Sequence, residues 1–352
     1  MTEKAFEREV LANLSAQRLA RPDMRAEDEI KFVFQALLGV GHLLGERGAV
    51  SAYIGREMRG LRPDPGEALT EELSPLWCRL NLRRAMAEGL TPEIIAGLML
   101  HPAPETAFTR EDVRSLCREL PGADGAGLAE ILREDWLPSH SAEYRAAYAP
   151  AYRVIRTDWI PALGAVAAAA RALREKERIL VTLDGPCASG KTTLAAELAE
   201  VLGAAAAHTD DFVVPHAEKT PERLARPGGN CDAERLRAEL LEPWKREGKA
   251  RFRRYDCHGD RLLPAEELPG RRVLILEGSY VNLPSLRALA DVRLYLDTDR
   301  AVRERRLLAR ESPASLALYR ERWIPLEESY FSAFGLPDEG CIVIRGERDG
   351  DA

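Results

Sequence analysis

LDGPCASGKTT, Leu183 to Thr193, contains the pattern G-x-x-x-x-G-K-T as Gly185, Gly190, Lys191 and Thr192. The residues before it, Arg178-Ile-Leu-Val-Thr-Leu-Asp184, read as a buried strand. Those after it, Thr193 to Leu202, read as a helix with Leu194, Leu198, Val201 and Leu202 on one side. A strand, a glycine-rich turn and a helix together make a phosphate-binding loop. Glycines let successive backbone N–H groups point inward around phosphate oxygens, and the helix N-terminus adds partial positive charge. Lys191 is then placed to reach the β- and γ-phosphates of a nucleotide, and the Thr192 hydroxyl to ligate Mg²⁺. Where the phosphate goes is the question the stretch leaves open.

Composition narrows the setting. The chain has 352 residues, 45% of them hydrophobic and 30% charged, which is ordinary for a globular protein and long enough for two domains. The charged N-terminus lacks an apolar run, and no stretch reaches the ~18 apolar residues of a membrane span. A cytoplasmic protein without a membrane partner is expected. Six cysteines without C-x-x-C spacing suggest neither a zinc site nor a disulfide framework. The net charge of −7 argues against a general nucleic-acid binder. A homo-oligomer is compatible with everything in the sequence.

The two halves differ in period. From Glu27 to about Glu175 apolar residues recur at helical spacing, which predicts an all-helical domain over residues 1–165. Its expected helices are Glu27 to Leu38, Glu67 to Glu88, Pro92 to Leu100, Thr109 to Leu120 and Ala126 to Glu134, with a last one from Trp159 to Glu177. Pro102-Ala-Pro104 and Pro121-Gly-Ala-Asp-Gly125 punctuate them. Tyr144, Tyr148 and Tyr152, at i, i+4 and i+8, read as a helical packing stripe. Gly39 to Gly45, Gly-Val-Gly-His-Leu-Leu-Gly, suggests no function.

Residues 166–352 alternate β-rich runs with helices, the pattern of a parallel sheet covered on both faces. Five strands are expected: Ile179–Leu183, Ala206–Thr209, Val273–Leu276, Val292–Leu296 and Cys341–Ile344. The fold class is therefore α/β, a P-loop NTPase with a five-stranded parallel sheet and helices on both faces, preceded by an all-α domain. Asp210, Glu277 and Asp297 follow the second, third and fourth strands, where ligands of such sheets bind. Asp210 is expected on the strand beside the phosphate-loop strand.

A switch GTPase would need N-K-x-D to read guanine, and the sequence lacks it. What it has, in order, is the loop, Thr209-Asp-Asp-Phe212, Tyr255-Asp-Cys-His258, Leu276-Glu-Gly278 and Asp297-Thr-Asp299 followed by an arginine-rich helix. This series resembles the uridine kinase and phosphoribulokinase family of P-loop small-molecule kinases, over about Ile179 to Gly346. The similarity is closest to a uridine-kinase-like branch that carries Pro221-Glu-Arg-Leu-Ala-Arg-Pro-Gly-Gly-Asn230 and Trp323-Ile-Pro-Leu-Glu-Glu-Ser-Tyr-Phe331.

The resemblance implies ATP and Mg²⁺ as cofactors and a small-molecule acceptor as partner. Gly185, Ala188, Ser189, Gly190, Lys191, Thr192 and Thr193 would hold the phosphates, with Arg303 and Arg310 from the lid helix. Lys191, Asp210 and Arg306 would be catalytic, Asp210 as the base. Thr192, Asp210 and Glu277 would serve the metal. Asp211, Arg223, Arg226, Asp232, Tyr255 and His258 would face the acceptor. Asp211 is the alternative base, and Asp299 is expected to cap the lid helix. Cys231 and Val213 stand where uridine kinases have aromatic residues, which removes surface for stacking a pyrimidine. The expected activity is phosphoryl transfer to a hydroxyl of a nucleoside or related metabolite. The alternatives are an ATP-binding regulator without turnover, or a kinase for a sugar, vitamin or polyol.

Overall fold

The computed structural model describes residues 2–40, 45–101, 108–121 and 125–346. Pro102 to Pro104, residues 41–44 of the Gly39 to Gly45 segment and residues 122–124 of the Pro121 to Gly125 segment lie outside them. The chain divides into two units, Met1–Ile160 and Pro161–Ala352.

In the first unit, most of the sequence winds into helices, among them Glu3–Ala20, Ala26–Leu38, Arg47–Met58, Pro92–Leu100 and Arg110–Arg118. Thr109 caps the last of these, its hydroxyl accepting from the Asp112 amide. The unit also holds an antiparallel sheet that was not expected, in the order β1 (Thr70–Glu72), β2 (Trp77–Asn81), β3 (Tyr152–Arg156). The helix expected from Glu67 to Glu88 is therefore confined to Leu82–Glu88, where Asn81 caps it by accepting from the amides of Arg83 and Arg84. Trp77 to Leu80 are buried on both faces, so their apolar run has no period of two, and pairing with two neighbours overrides the helical reading. The tyrosine stripe is broken in the same way. The helix Ala142–Tyr148 ends at Ala149 in the left-handed region, and Tyr152 starts β3. The core gathers Phe6, Val10, Leu14, Phe32, Val33, Trp77, Leu116 and Val154.

The helix expected from Trp159 begins only at Leu163 and runs to Glu175, because Thr157–Ala162 winds as a 3₁₀ turn around Pro161, which lacks an N–H to donate. In the second unit, β4 (Ile179–Asp184) leads into the phosphate loop and the helix Lys191–Leu202, and β5 (Ala205–His208) follows. An insertion then carries two ribbons, β6 (Ala250–Phe252) with β9 (Glu266–Leu268) and β7 (Tyr255–Asp256) with β8 (Arg261–Leu262). Next come β10 (Val273–Glu277), β11 (Val292–Asp297) and β12 (Cys341–Arg345).

The five long strands form one parallel sheet in the order β12-β11-β4-β10-β5. The five expected strands are present, each within a residue or so of its expected bounds. Their order corrects one expectation: β10, not β5, lies beside β4, so Glu277 flanks the phosphate loop and Asp210 sits one strand further out. Every residue of β4 and of β10 is buried, which fits strands covered on both faces. The insertion packs on the sheet through Leu236, Leu240, Trp244 and Phe252 against Leu180, Leu274 and Leu276. Full burial of each such side chain contributes roughly 1.5–3 kcal/mol. Among the described residues no helix is long and apolar enough to cross a membrane, and all six cysteines are free.

Candidate functional site

The loop's backbone follows from its glycines. Gly185 has φ +145, and a Cβ there would meet the Leu296 carbonyl oxygen at 2.5 Å, so β11 approaches closely only because the side chain is absent. Gly190 (φ +100) starts the helix, and Ala188 holds φ +58, a strained value for a residue with a side chain. Lys191 is 9% exposed, and its Nζ donates to the Gly185 and Pro186 carbonyls at 2.8 and 2.9 Å. The Ser189 hydroxyl is buried and has no hydrogen-bond partner among the described residues. A buried donor of this kind inside a cradle of amides fits a phosphate oxygen. Thr193 is exposed in the first turn of the helix.

Beside the loop, oxygens converge from three strand ends. Thr192 Oγ1 donates to Glu277 Oε1 at 2.9 Å, and the His208 ring Nδ1 lies 2.6 Å from the same oxygen. This Glu277 hydrogen bond raises His208 above its ordinary value. Asp210 follows β5 on a 3₁₀ turn, Thr209–Phe212. Its side chain reaches solvent, yet protein surrounds it on most sides; this loss of water pushes its carboxyl upward, the Glu277 charge adds to the effect and Lys191 opposes it. Asp211 is also raised, first by desolvation, while its backbone oxygen accepts from Arg235. Hard oxygens from a hydroxyl and carboxylates suit Mg²⁺, which takes one or two carboxylates and completes its octahedron with phosphate and water. Among the described residues no three His, Cys, Asp or Glu form a cage for a metal by themselves.

Three residues whose roles the sequence reading left unassigned hold this arrangement in place. Glu327 and Tyr330 project from one side of the helix Ile324–Phe334. Glu327 accepts from the Cys187 amide at 2.9 Å and from the Ser279 hydroxyl at 2.5 Å. The Tyr330 hydroxyl donates to Asp184 Oδ2 at 2.6 Å and accepts from the Asn282 amide at 2.9 Å. Asp184 is fully buried at the end of β4; burial pushes it up to about 6, against hydrogen bonds from Tyr330 and the Gly185 amide. The i, i+3 spacing of Glu327 and Tyr330 within the Trp323 to Phe331 segment was the available signal. Tyr280, after Gly278, holds φ +78 and packs edge-on against Tyr330.

The arginines of the helix Arg300–Arg310 do not all face the same way. Arg306 donates to the Ala188 and Ser189 carbonyls at 3.1 and 2.8 Å, bracing the loop from behind. Arg303 donates to the Thr298 carbonyl, and Arg310 pairs with Glu311 on the surface. Asp299 caps their helix, accepting from the Ala301 amide.

In the insertion, Tyr255 is buried with its hydroxyl on Asp260, and Lys219 lies 5.9 Å from its ring centroid and 6.0 Å from that of Trp323. His258 is exposed on the adjacent turn. Asp232 is engaged as a helix cap and partner of Arg235. Arg223 braces the Pro-Gly-Gly turn through the Gly229 carbonyl and pairs with Glu218, while Arg226 is exposed. Cys231 bridges Val213 and packs with Tyr280 and Tyr330.

No protein-family model matches the chain, and neither does any curated protein. Among solved structures, a possible uridine kinase from Bacillus stearothermophilus is 20% identical, with 50% of this chain and 96% of that one covered and a TM-score of 0.39. A protein from Silicibacter sp. TM1040, assigned as a fructose transport system kinase, is 25% identical over 47% of this chain and 93% of its own, with a TM-score of 0.40. A sugar kinase from Janibacter sp. HTCC2649 is 22% identical over 48% and 86%, with a TM-score of 0.27. With its phosphate loop at the carboxyl end of the central strand of a five-stranded parallel sheet, the second unit has the P-loop NTPase fold.

Proposed function

We propose that the protein is an ATP- and Mg²⁺-dependent kinase that transfers the γ-phosphoryl group to a hydroxyl of a small molecule, a nucleoside or related ribosyl alcohol. The observation that carries this reading is the convergence of Thr192, Glu277, His208 and Asp210 at the ends of β5 and β10, beside the phosphate loop. Loop amides and Lys191 hold and orient the phosphates, the helix Ile324–Phe334 keeps the loop in shape, and Asp210 accepts the hydroxyl proton. A carboxylate whose affinity for protons is raised serves better as a general base near neutral pH. Mg²⁺ held through Thr192, Glu277 and Asp210 supplies charge neutralisation when bound.

An alcohol acceptor rather than water is supported by the insertion between β5 and β10, which brings Lys219 and Tyr255 near Trp323 as groups able to contact a bound molecule. The test is ADP release with Mg²⁺ATP over a panel of nucleosides, sugars, polyols and vitamins. Stimulation by one acceptor class supports the kinase reading. Slow hydrolysis indifferent to every acceptor would favour an ATP-binding regulator.

A further inference from the structure

A pocket of about 330 Å³ opens in the first unit, and all the residues lining it belong to that unit. This is within the size range of small-molecule sites. Its charge is unusual for a structural cavity. Arg21, Arg79 and Arg83 line it together with Glu67 and Glu71, so three guanidinium groups against two carboxylates leave one positive charge in excess.

The lining is held rigidly. Arg79, on β2, is 3% exposed; its Nε and Nη2 donate to Gln35 at 3.1 and 2.8 Å and its Nη1 to Glu71 at 2.8 Å. Glu71 also takes a bond from Arg21, so one carboxylate orients two guanidinium groups. Behind them, Asp28, His140 and Tyr152 form a hydrogen-bonded chain, with 2.8 Å from Asp28 to the ring and 2.6 Å from the ring to the tyrosine hydroxyl, and Tyr152 stacks under Arg79 at 4.4 Å. Such networks fix side chains in one geometry.

Two groups remain uncommitted. Among the described residues no hydrogen bond or ion pair engages the Arg83 guanidinium. The hydroxyl of Tyr144 likewise has no partner among them, although the residue is 2% exposed and its ring lies flat on His140 at 4.3 Å. Arg83 is half-buried where it lines the pocket, and a pre-oriented donor set with surplus positive charge points to an anionic ligand that completes it.

We propose that this pocket is a second small-molecule site, which binds a compact metabolite through an oxyanion, phosphate or carboxylate, held by Arg21, Arg79, Arg83 and the Tyr144 hydroxyl. The planar guanidinium groups match the two-oxygen face that both anions present. The site lies wholly in the first unit and stands independently of the kinase reading.

Calorimetric titration of inorganic phosphate, and separately of citrate, into the full-length protein carrying Lys191→Met tests it, because that change weakens the phosphate loop as a competing anion site. Saturable binding of one of the two anions is expected, and which one it is identifies the anion. Arg83→Ala in the same background should weaken it by about tenfold or more, Tyr144→Phe by a smaller factor, and Arg83→Lys by an intermediate one, with unchanged thermal melting. Absence of binding by both anions overturns the proposal, as does affinity unchanged in both Arg83 variants.

Discussion

In the proposed mechanism the chemistry turns on Lys191, Asp210 and Glu277, and the sequence placed all three at the phosphate loop or at strand ends. Motif spacing made them legible because a phosphate loop imposes its glycines and lysine on the backbone itself. The packing partners were less legible. His208 precedes the Asp pair, yet only the pairing of β5 with β10 brings it to Glu277. Likewise Asp232 and Arg223 have the residue types of a substrate site, but local bonds within three to six residues hold them as a helix cap and a turn brace. Lys191→Met should nearly abolish turnover and, because it also removes the bonds from Nζ to the Gly185 and Pro186 carbonyls, lower the melting temperature only modestly. Steady-state rates beside a melting curve check this, and wild-type rates would contradict it.

The five strands of the second unit were readable as separate β-rich runs, but their order was not, since the place of β10 between β4 and β5 is set by helix crossovers rather than by any local pattern. In the first unit the sheet was missed because β2 is buried on both faces and runs without a break into the helix Leu82–Glu88. The helix Ile324–Phe334 yields a sharper expectation. Tyr330→Phe removes one donor from the fully buried Asp184 and should cost about 1–3 kcal/mol, with weaker ATP binding as the loop loses its brace. Denaturant midpoints and ATP titration measure both; a variant unchanged in both would show that the brace is dispensable. A second expectation concerns β3 and the helix Ala142–Tyr148. Burial, with Lys31 next, pushes His140 down to about 4 despite its bond to Asp28. Its unfolded value is near 6.5, so the unfolded chain binds more protons in between, and stability falls as pH drops through that window, by up to about 3 kcal/mol. Hydrogen-exchange protection of the Ser141 and Tyr144 amides should decline accordingly, and His140→Gln should flatten the decline. An equal slope in the variant would contradict the assignment.

The loop, the oxygens of Thr192, Asp210 and Glu277 and the Glu327 and Tyr330 brace all lie beyond Pro161, while the arginine-lined pocket lies before it. A fragment beginning at Pro161, which keeps the helix Leu163–Glu175 entire, should therefore bind ATP within a few-fold of the full chain. A folded fragment that fails to bind ATP would show that the first unit completes the nucleotide site. The identity of the acceptor was not legible, because the paired Val213 and Cys231 offer no ring on which a base would stack. What the site does with the phosphate is open to measurement all the same. Phosphorus NMR of Mg²⁺ATP turnover with the stimulating acceptor, run on the wild type and on Asp210→Asn with ATP affinity measured in parallel, follows the phosphoryl group itself. The expected result is a phosphomonoester signal growing in step with ADP, slowed on the order of 10²–10⁴-fold in Asp210→Asn while ATP affinity stays within a few-fold. Conversion of ATP to inorganic phosphate alone, or ester formed at the same rate by Asp210→Asn, would contradict a kinase whose base is Asp210.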